Sequence, residues 1–226
     1  MHIDHIFIFS QNQGQEADEL VNFGLTEGSS RVHTGQGTTN RKFYFENFFL
    51  EILWVHKEKE IRSEPVATTR LWERSNFESN SLLPFGLCLS NTDDTDTIFQ
   101  GSNRYQPEYF PEGMKVDFID IPELPWLFRL PFQGKKAKTQ EPIKHRRKLK
   151  RLTKAIFRIP DDSSSSSLIE KMSNASIQFE RGDEKQLILD RQLPFIAATS
   201  ISGTTPDHQV LKIHSYVDKL NSRKNP

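Results

Sequence analysis

Ile3, His5, Phe7 and Phe9 recur at every second position, with Asp4, Ile6 and Ile8 between them, so the opening segment reads as a strand buried on both faces. Ala17, Leu20 and Val21 then fall at helical spacing within 15–23. Gly24 follows where a left-handed residue commonly closes a helix. Residues 25–32 and 41–46 read as strands on either side of a Gly/Thr-rich connector, and 48–55 as a third strand after the Glu46-Asn47 turn. The pattern predicts a βαβββ unit complete by about residue 56.

Residues 61–82 are polar, with weak helical character over 68–74. A new apolar strand is predicted over 84–90, an alternating stretch over 114–119, and an aromatic strand over 124–132 whose Pro125 and Pro131 suit a sheet edge. A strand over 152–159 and a short helix over 167–172 follow. Segments 175–180 and 186–190 flank Arg181-Gly182-Asp183-Glu184 and read as a hairpin. The element order of the first half recurs. It divides the chain into a first unit at 1–56, a connector at 57–82, a divergent second unit at 83–199 with a basic loop at 135–151, and a C-terminal extension at 200–226. The expected class is α+β.

Composition narrows the setting. Seventeen Phe predict an aromatic interior, the single Cys88 rules out an internal disulfide, and no apolar run is long enough for a membrane span. The first residues lack a signal-peptide pattern, so a cytoplasmic location is expected. Net charge is zero, yet residues 1–134 carry 20 acidic and 11 basic side chains and residues 135–226 carry 10 and 19. The basic stretch from Lys135 to Arg158 has the density to grip phosphates. It lacks interleaved aromatics and any nucleic-acid motif, so a solvated loop is expected and nucleic acid is not the expected partner.

Three segments resemble glyoxalase-like proteins of the vicinal-oxygen-chelate superfamily: Met1-His2-Ile3-Asp4-His5-Ile6, His33-Thr34-Gly35-Gln36-Gly37-Thr38-Thr39-Asn40-Arg41 and Phe49-Leu50-Glu51-Ile52-Leu53. The resemblance is clearest over 1–56 and thinner beyond. It implies paired βαβββ modules whose mixed sheet curls around a central cleft, often with a divalent metal. Isomerase, lyase, dioxygenase or binding activities all occur on that fold, so the fold alone fixes no reaction.

In the family, metal ligands come from the first and last strands of each module, and in the first module those places hold His5 and Glu51. Each is a polar side chain in an apolar strand, where burial without a partner costs at least about 2 kcal/mol. Two partners stay open: a divalent ion (Zn, Fe, Mn or Ni), or a hydrogen bond between the two residues. No third ligand is evident, because the candidate second-module strands offer only apolar residues, Cys88 and Arg158, or Gln186 and Asp190. The expected function is therefore a small-molecule enzyme of isomerase or lyase type. His5 and Glu51 would act as catalytic or metal-binding residues, and His33, Asn40, Arg41 and Arg191 would contact a small anionic substrate. A non-catalytic binding protein is the alternative, and phosphate-surface binding through 135–158 a third. Two modules in one chain can complete a cleft, which suggests a monomer or weak homodimer.

Overall fold

The computed structural model describes residues 1–133, 140–160, 166–182, 185–192 and 210–214. Its first elements are β1 (Ile3–Phe9), α1 (Glu16–Phe23), β2 (Arg31–His33), β3 (Thr38–Tyr44) and β4 (Phe49–Val55). Gly24 closes α1 at φ 113°, and its N–H reaches back to Leu20 and Val21. Residues 25–30, expected within a strand, form none, because β2 pairs only where Arg31, Val32 and His33 face Asn40, Thr39 and Thr38. Three short helices follow, α2 (Glu58–Ile61), α3 (Glu64–Ala67) and α4 (Leu71–Ser75).

The second half opens with β5 (Phe85–Asn91), then α5 (Asp93–Phe99), β6 (Asn103–Tyr105), β7 (Val116–Ile119) and β8 (Trp126–Gln133). Periodicity does not predict α5, since only Ile98 and Phe99 of its residues are apolar. A capping box between Thr92 and Thr95 and three first-turn aspartates start it instead. The eight strands form one mixed sheet in the order β2-β3-β4-β1-β5-β8-β7-β6. Two βαβββ units thus meet at the antiparallel β1–β5 pair, and the sheet curls into a half-barrel.

The remaining strands, β9 (Arg151–Ile159), β10 (Ile177–Arg181), β11 (Gln186–Gln192) and β12 (Val210–His214), make a separate sheet ordered β10-β9-β11-β12, with α6 (Ser166–Met172) between β9 and β10. The expected hairpin of 175–180 with 186–190 is corrected here: both strands pair with β9, one parallel and one antiparallel, and not with each other. The expected span 83–199 therefore contributes to two sheets. The strand that closes the second half of the large sheet is β8, not the one carrying Gln186 and Asp190. Most of the 200–226 segment lies outside the described residues, and no described helix is long and apolar enough to cross a membrane.

One core lies between the large sheet, α1, α5 and the small sheet, and takes Ile6 and Ile8 of β1. The other fills the concave side and takes Phe7 and Phe9. Ile3 joins the first core rather than sharing a face with His5, because the β1–β5 register shifts between Ile3 and His5. Such a bulge turns successive side chains out of strict alternation.

The basic segment behaves differently from a freely solvated loop. Residues 134–139 lie outside the described residues. From 140 onward Lys144, Arg146, Arg147, Lys148 and Lys150 are exposed, but His145 and Leu149 are buried. Arg146 and Arg147 donate to the Asn22 and Phe23 carbonyls, satisfying the C-terminal end of α1 with cations where its dipole favours them.

His145 is the anchor. Its Nδ1 accepts from the Thr26 backbone N–H at 2.9 Å, so Nε2 carries the proton and donates to the Tyr44 carbonyl at 2.9 Å. Burial pushes its pKa below the ordinary value, against the opposing pull of that carbonyl. The folded chain then takes up this proton less readily than the unfolded chain. Its contribution to stability is complete above about pH 6.5 and is lost as pH falls below that value. Melting curves from about pH 7.5 to about pH 5 should therefore fall more steeply for the wild type than for His145→Gln, and parallel curves would exclude this coupling.

Candidate functional site

The concave face holds a cavity of about 150 Å³. Strand alternation in the first unit decides what faces it: His5 and Phe7 from β1, Arg31 and His33 from β2, Asn40 and Lys42 from β3, and Phe49, Glu51 and Leu53 from β4. Registers of Asn40 with Leu53 and Lys42 with Glu51 carry that face across the sheet. The second half closes the other side with Tyr105, Tyr109, Trp126 and Phe128 among others.

At the floor, the His5 ring lies flat on Phe49, with centroids 4.3 Å apart and 8° between planes, and meets Phe128 edge-on at 5.2 Å. The bulge in β1 brings Asp4 to the same ring, with Oδ1 at 2.5 Å from Nδ1. A carboxylate accepts, so Nδ1 donates to Asp4, while Nε2 stands 3.8 Å from Glu51 Oε2. That distance is too long for a hydrogen bond.

Glu51 Oε1 has its own partner. Asn40 Oδ1 accepts from the Arg31 N–H at 2.7 Å, which fixes the amide and turns Nδ2 toward Glu51 Oε1, to which it donates, and toward His33 Nε2 at 3.4 Å. His33 Nδ1 meets Thr38 Oγ1 at 2.8 Å, and its ring stacks on Tyr109, whose hydroxyl donates to Gln36. Burial lowers the His33 pKa against the opposing field of Glu51, and Arg31 and Lys42 lower it further, which favours the neutral ring. Burial likewise pushes the Tyr109 phenol upward.

Of the residues expected from sequence, His5, His33, Asn40 and Glu51 converge on this floor. Arg41 does not, because it sits one position off the cavity face. Its guanidinium is held by Glu27 at 2.5 and 2.7 Å and by Asp18 at 2.7 Å, packing β3 onto α1. Arg191 belongs to β11 of the small sheet, and its side chain lies outside the described residues. Sequence reasoning misses Arg31, Lys42, Tyr105, Tyr109 and Trp126. The alternation of Trp126, Phe128 and Leu130 is the one signal that could have placed a second-half strand on the cavity.

A divalent ion on His5 Nε2 and Glu51 Oε2 would need bonds of about 2.0–2.2 Å, hence a small approach of the two donors. His33 Nε2 lies 3.9 Å from Glu51 Oε1 and is engaged by the Asn40 amide at 3.4 Å, so it is not an open third donor. A second grouping, Asp4, His5 and Cys88, has its donor atoms within 4.8 Å of one another, with Asp4 and His5 Nδ1 already engaged with each other. The cavity floor thus offers two open donors, one fewer than the three that usually hold a catalytic ion.

The model of a family described as a glyoxalase-like domain matches residues 3–170. No curated protein matches the chain. Among solved structures it is similar to a hypothetical protein from Staphylococcus aureus, at 16% identity over 94% of this chain and 85% of that one, with TM-score 0.43. It is also similar to a triple mutant of 4-hydroxymandelate synthase from Streptomyces coelicolor, at 12% identity and TM-score 0.40, covering 85% of this chain and 59% of that one.

Proposed function

We infer the function from one premise: the chain belongs to the glyoxalase-like domain family, whose match spans residues 3–170. That membership supports a role in binding or transforming a small molecule. Our reading is an isomerase- or lyase-type reaction in the cavity, and the observation that carries it is the unbridged 3.8 Å gap between His5 Nε2 and Glu51 Oε2 at an aromatic floor.

A carbon acid beside a carbonyl, lying in the cavity against this pair, would meet two proton-transfer groups of different kinds. Glu51, held at Oε1 by Asn40, would take the C–H proton on Oε2 and return it to the neighbouring carbon. His5, held at Nδ1 by Asp4, would move a proton between the adjacent hydroxyl and carbonyl oxygens. Proton counts balance over the cycle. A divalent ion, when bound, would polarise those oxygens and would be held by His5 and Glu51. Because the donor set is one short, the proton transfers above are assigned to the chain's own groups.

A second reading, non-catalytic sequestration of a ligand in the same cavity, is favoured by the same short donor set. Glu51→Gln separates the two. The variant keeps its Oε1 contact with Asn40, so stability should fall by no more than about 1–3 kcal/mol. Under the enzymatic reading turnover is lost while binding persists. Zinc, iron(II), manganese and nickel titrations followed by melting temperature test the ion: a site that binds only the folded chain raises stability by RT ln(1 + [L]/Kd), and this rise should vanish in the variant. No shift with any metal or small carboxylate in the wild type would sink both the ion and the ligand.

A further inference from the structure

Two cations in the cavity have no carboxylate within ion-pair or hydrogen-bond distance among the described residues. The Arg31 guanidinium lies over the Tyr109 ring at 4.7 Å, and the Lys42 ammonium lies 5.7 and 6.0 Å from the Tyr44 and Phe49 ring centroids. Glu141 acts on Lys42 only over a longer range, being itself engaged by the Ser29 N–H at 2.9 Å. Arg41, Arg74 and Arg129 are all matched by acidic partners.

Arg31 faces Asn40 across the β2–β3 pair, and Lys42 is two residues further along β3 on the same face. The two charges are therefore diagonal neighbours on one wall. Each is steadied by an aromatic face rather than neutralised, which keeps it positioned yet available. Both charges are felt at the His33 ring between wall and floor.

We propose that Arg31 and Lys42 form an anion subsite at the cavity wall, taking the carboxylate or phosphate of a small molecule whose apolar body lies against Trp126 and Phe128. This rests on the reading of the cavity as the ligand site, and it moves anion recognition from Arg41 to two residues the sequence did not single out. Lys42 faces Glu51 across the β3–β4 pair, while Arg31 lies two strands from Glu51 on β2, so positive charge grows away from the floor. Glu51 repels an anionic head and the outer wall attracts it, so the uncharged part of the ligand is presented to His5 and Glu51. A cavity of about 150 Å³ accommodates a group of about the size of a benzene ring.

The test uses a matched pair of probes, phenylacetate and its uncharged isostere phenylacetamide, titrated calorimetrically into the whole chain. Phenylacetate should bind roughly tenfold more tightly, and the preference should weaken as salt rises. Arg31→Gln and Lys42→Gln should each reduce that ratio, and the double variant should bring it close to one. Arg41→Gln should leave it unchanged. Inorganic phosphate should compete with phenylacetate, while methyl phosphate and acetate distinguish which anionic head is preferred. If both probes bind alike, or if Arg41→Gln removes the preference and the other two do not, the subsite is wrong while the cavity remains a binding site. If neither probe binds, the subsite and the cavity reading fall together.

Discussion

Arg74→Met should destabilise the fold by about 3–5 kcal/mol, lowering the melting temperature by about 6–20 °C for a chain of this size. Arg74 is fully buried on α4, and every guanidinium donor is used. Nε and Nη2 donate to Asp120 Oδ1 at 2.8 and 2.5 Å, Nη1 to the Leu83 and Leu124 carbonyls at 3.0 and 2.9 Å, and Nη2 also to the Ile121 carbonyl at 3.0 Å. Methionine retains much of the volume but leaves a nearly buried carboxylate with only the half-exposed Arg70, at 3.1 Å, as a partner. The three carbonyls lose their donors as well. Denaturant unfolding measures the cost. The double variant Arg74→Met/Asp120→Asn should recover part of it, because the charge left behind is the larger penalty. A single-variant loss below about 1 kcal/mol would show that Arg74 is dispensable to this network.

Gly37→Ala is the second large effect, expected at about 2–4 kcal/mol. Gly37 sits at φ +77°, where a side chain costs about 1–2 kcal/mol, and its Cβ would lie 2.5 Å from the Lys57 carbonyl oxygen and closer still to the Ile61 nitrogen. Those are backbone atoms at the two ends of the single turn of α2, whose entry is tied to Gly37 itself: its carbonyl accepts from the His56 and Lys57 N–H groups at 2.8 and 3.0 Å. Relief requires moving the turn, adding about 1–3 kcal/mol of overpacking. The turn carries His33, Gln36 and Asn40, so ligand binding should weaken together with stability. Gly101→Ala makes the control. Its backbone is equally left-handed, at φ +76°, but nothing lies within 4 Å of the added Cβ, so only about 1–2 kcal/mol is expected. Equal losses at the two glycines would refute the role given to the α2 backbone.

The first unit is the most legible part of the sequence because each of its elements carries a period of its own. Alternation exposes β1 and β4, and Ala17, Leu20 and Gly24 expose α1 with its end. Pattern shows His5 and Glu51 each as a polar residue interrupting an apolar strand, and it is the family resemblance that pairs them. What alternation misses is the bulge between Ile3 and His5, a backbone event with no marker residue, and with it the contact of Asp4 with His5. Helix α5 is hidden because capping, not periodicity, starts it. Assigning β8 as the closing strand needed the topology: its prolines suggest an edge, whereas Trp126, Leu127 and Phe128 pair in the sheet interior between β5 and β7. Arg41 and Lys42 are adjacent cations of equal promise as a sequence, and only the parity of β3 sends one to α1 and the other to the cavity.

The tie between α1 and Arg146 and Arg147 also bears on the order in which the chain is made. Asn22 and Phe23 leave the ribosome about 124 residues before the side chains that cap them. At about 5–20 residues per second, the end of α1 therefore waits on the order of 10 s for its partners. Thr26 waits as long for His145, and Glu46 for Lys150. The amino-terminal half of the cavity is synthesised first but fastened late, so the nascent chain spends that interval with its first unit open along one side.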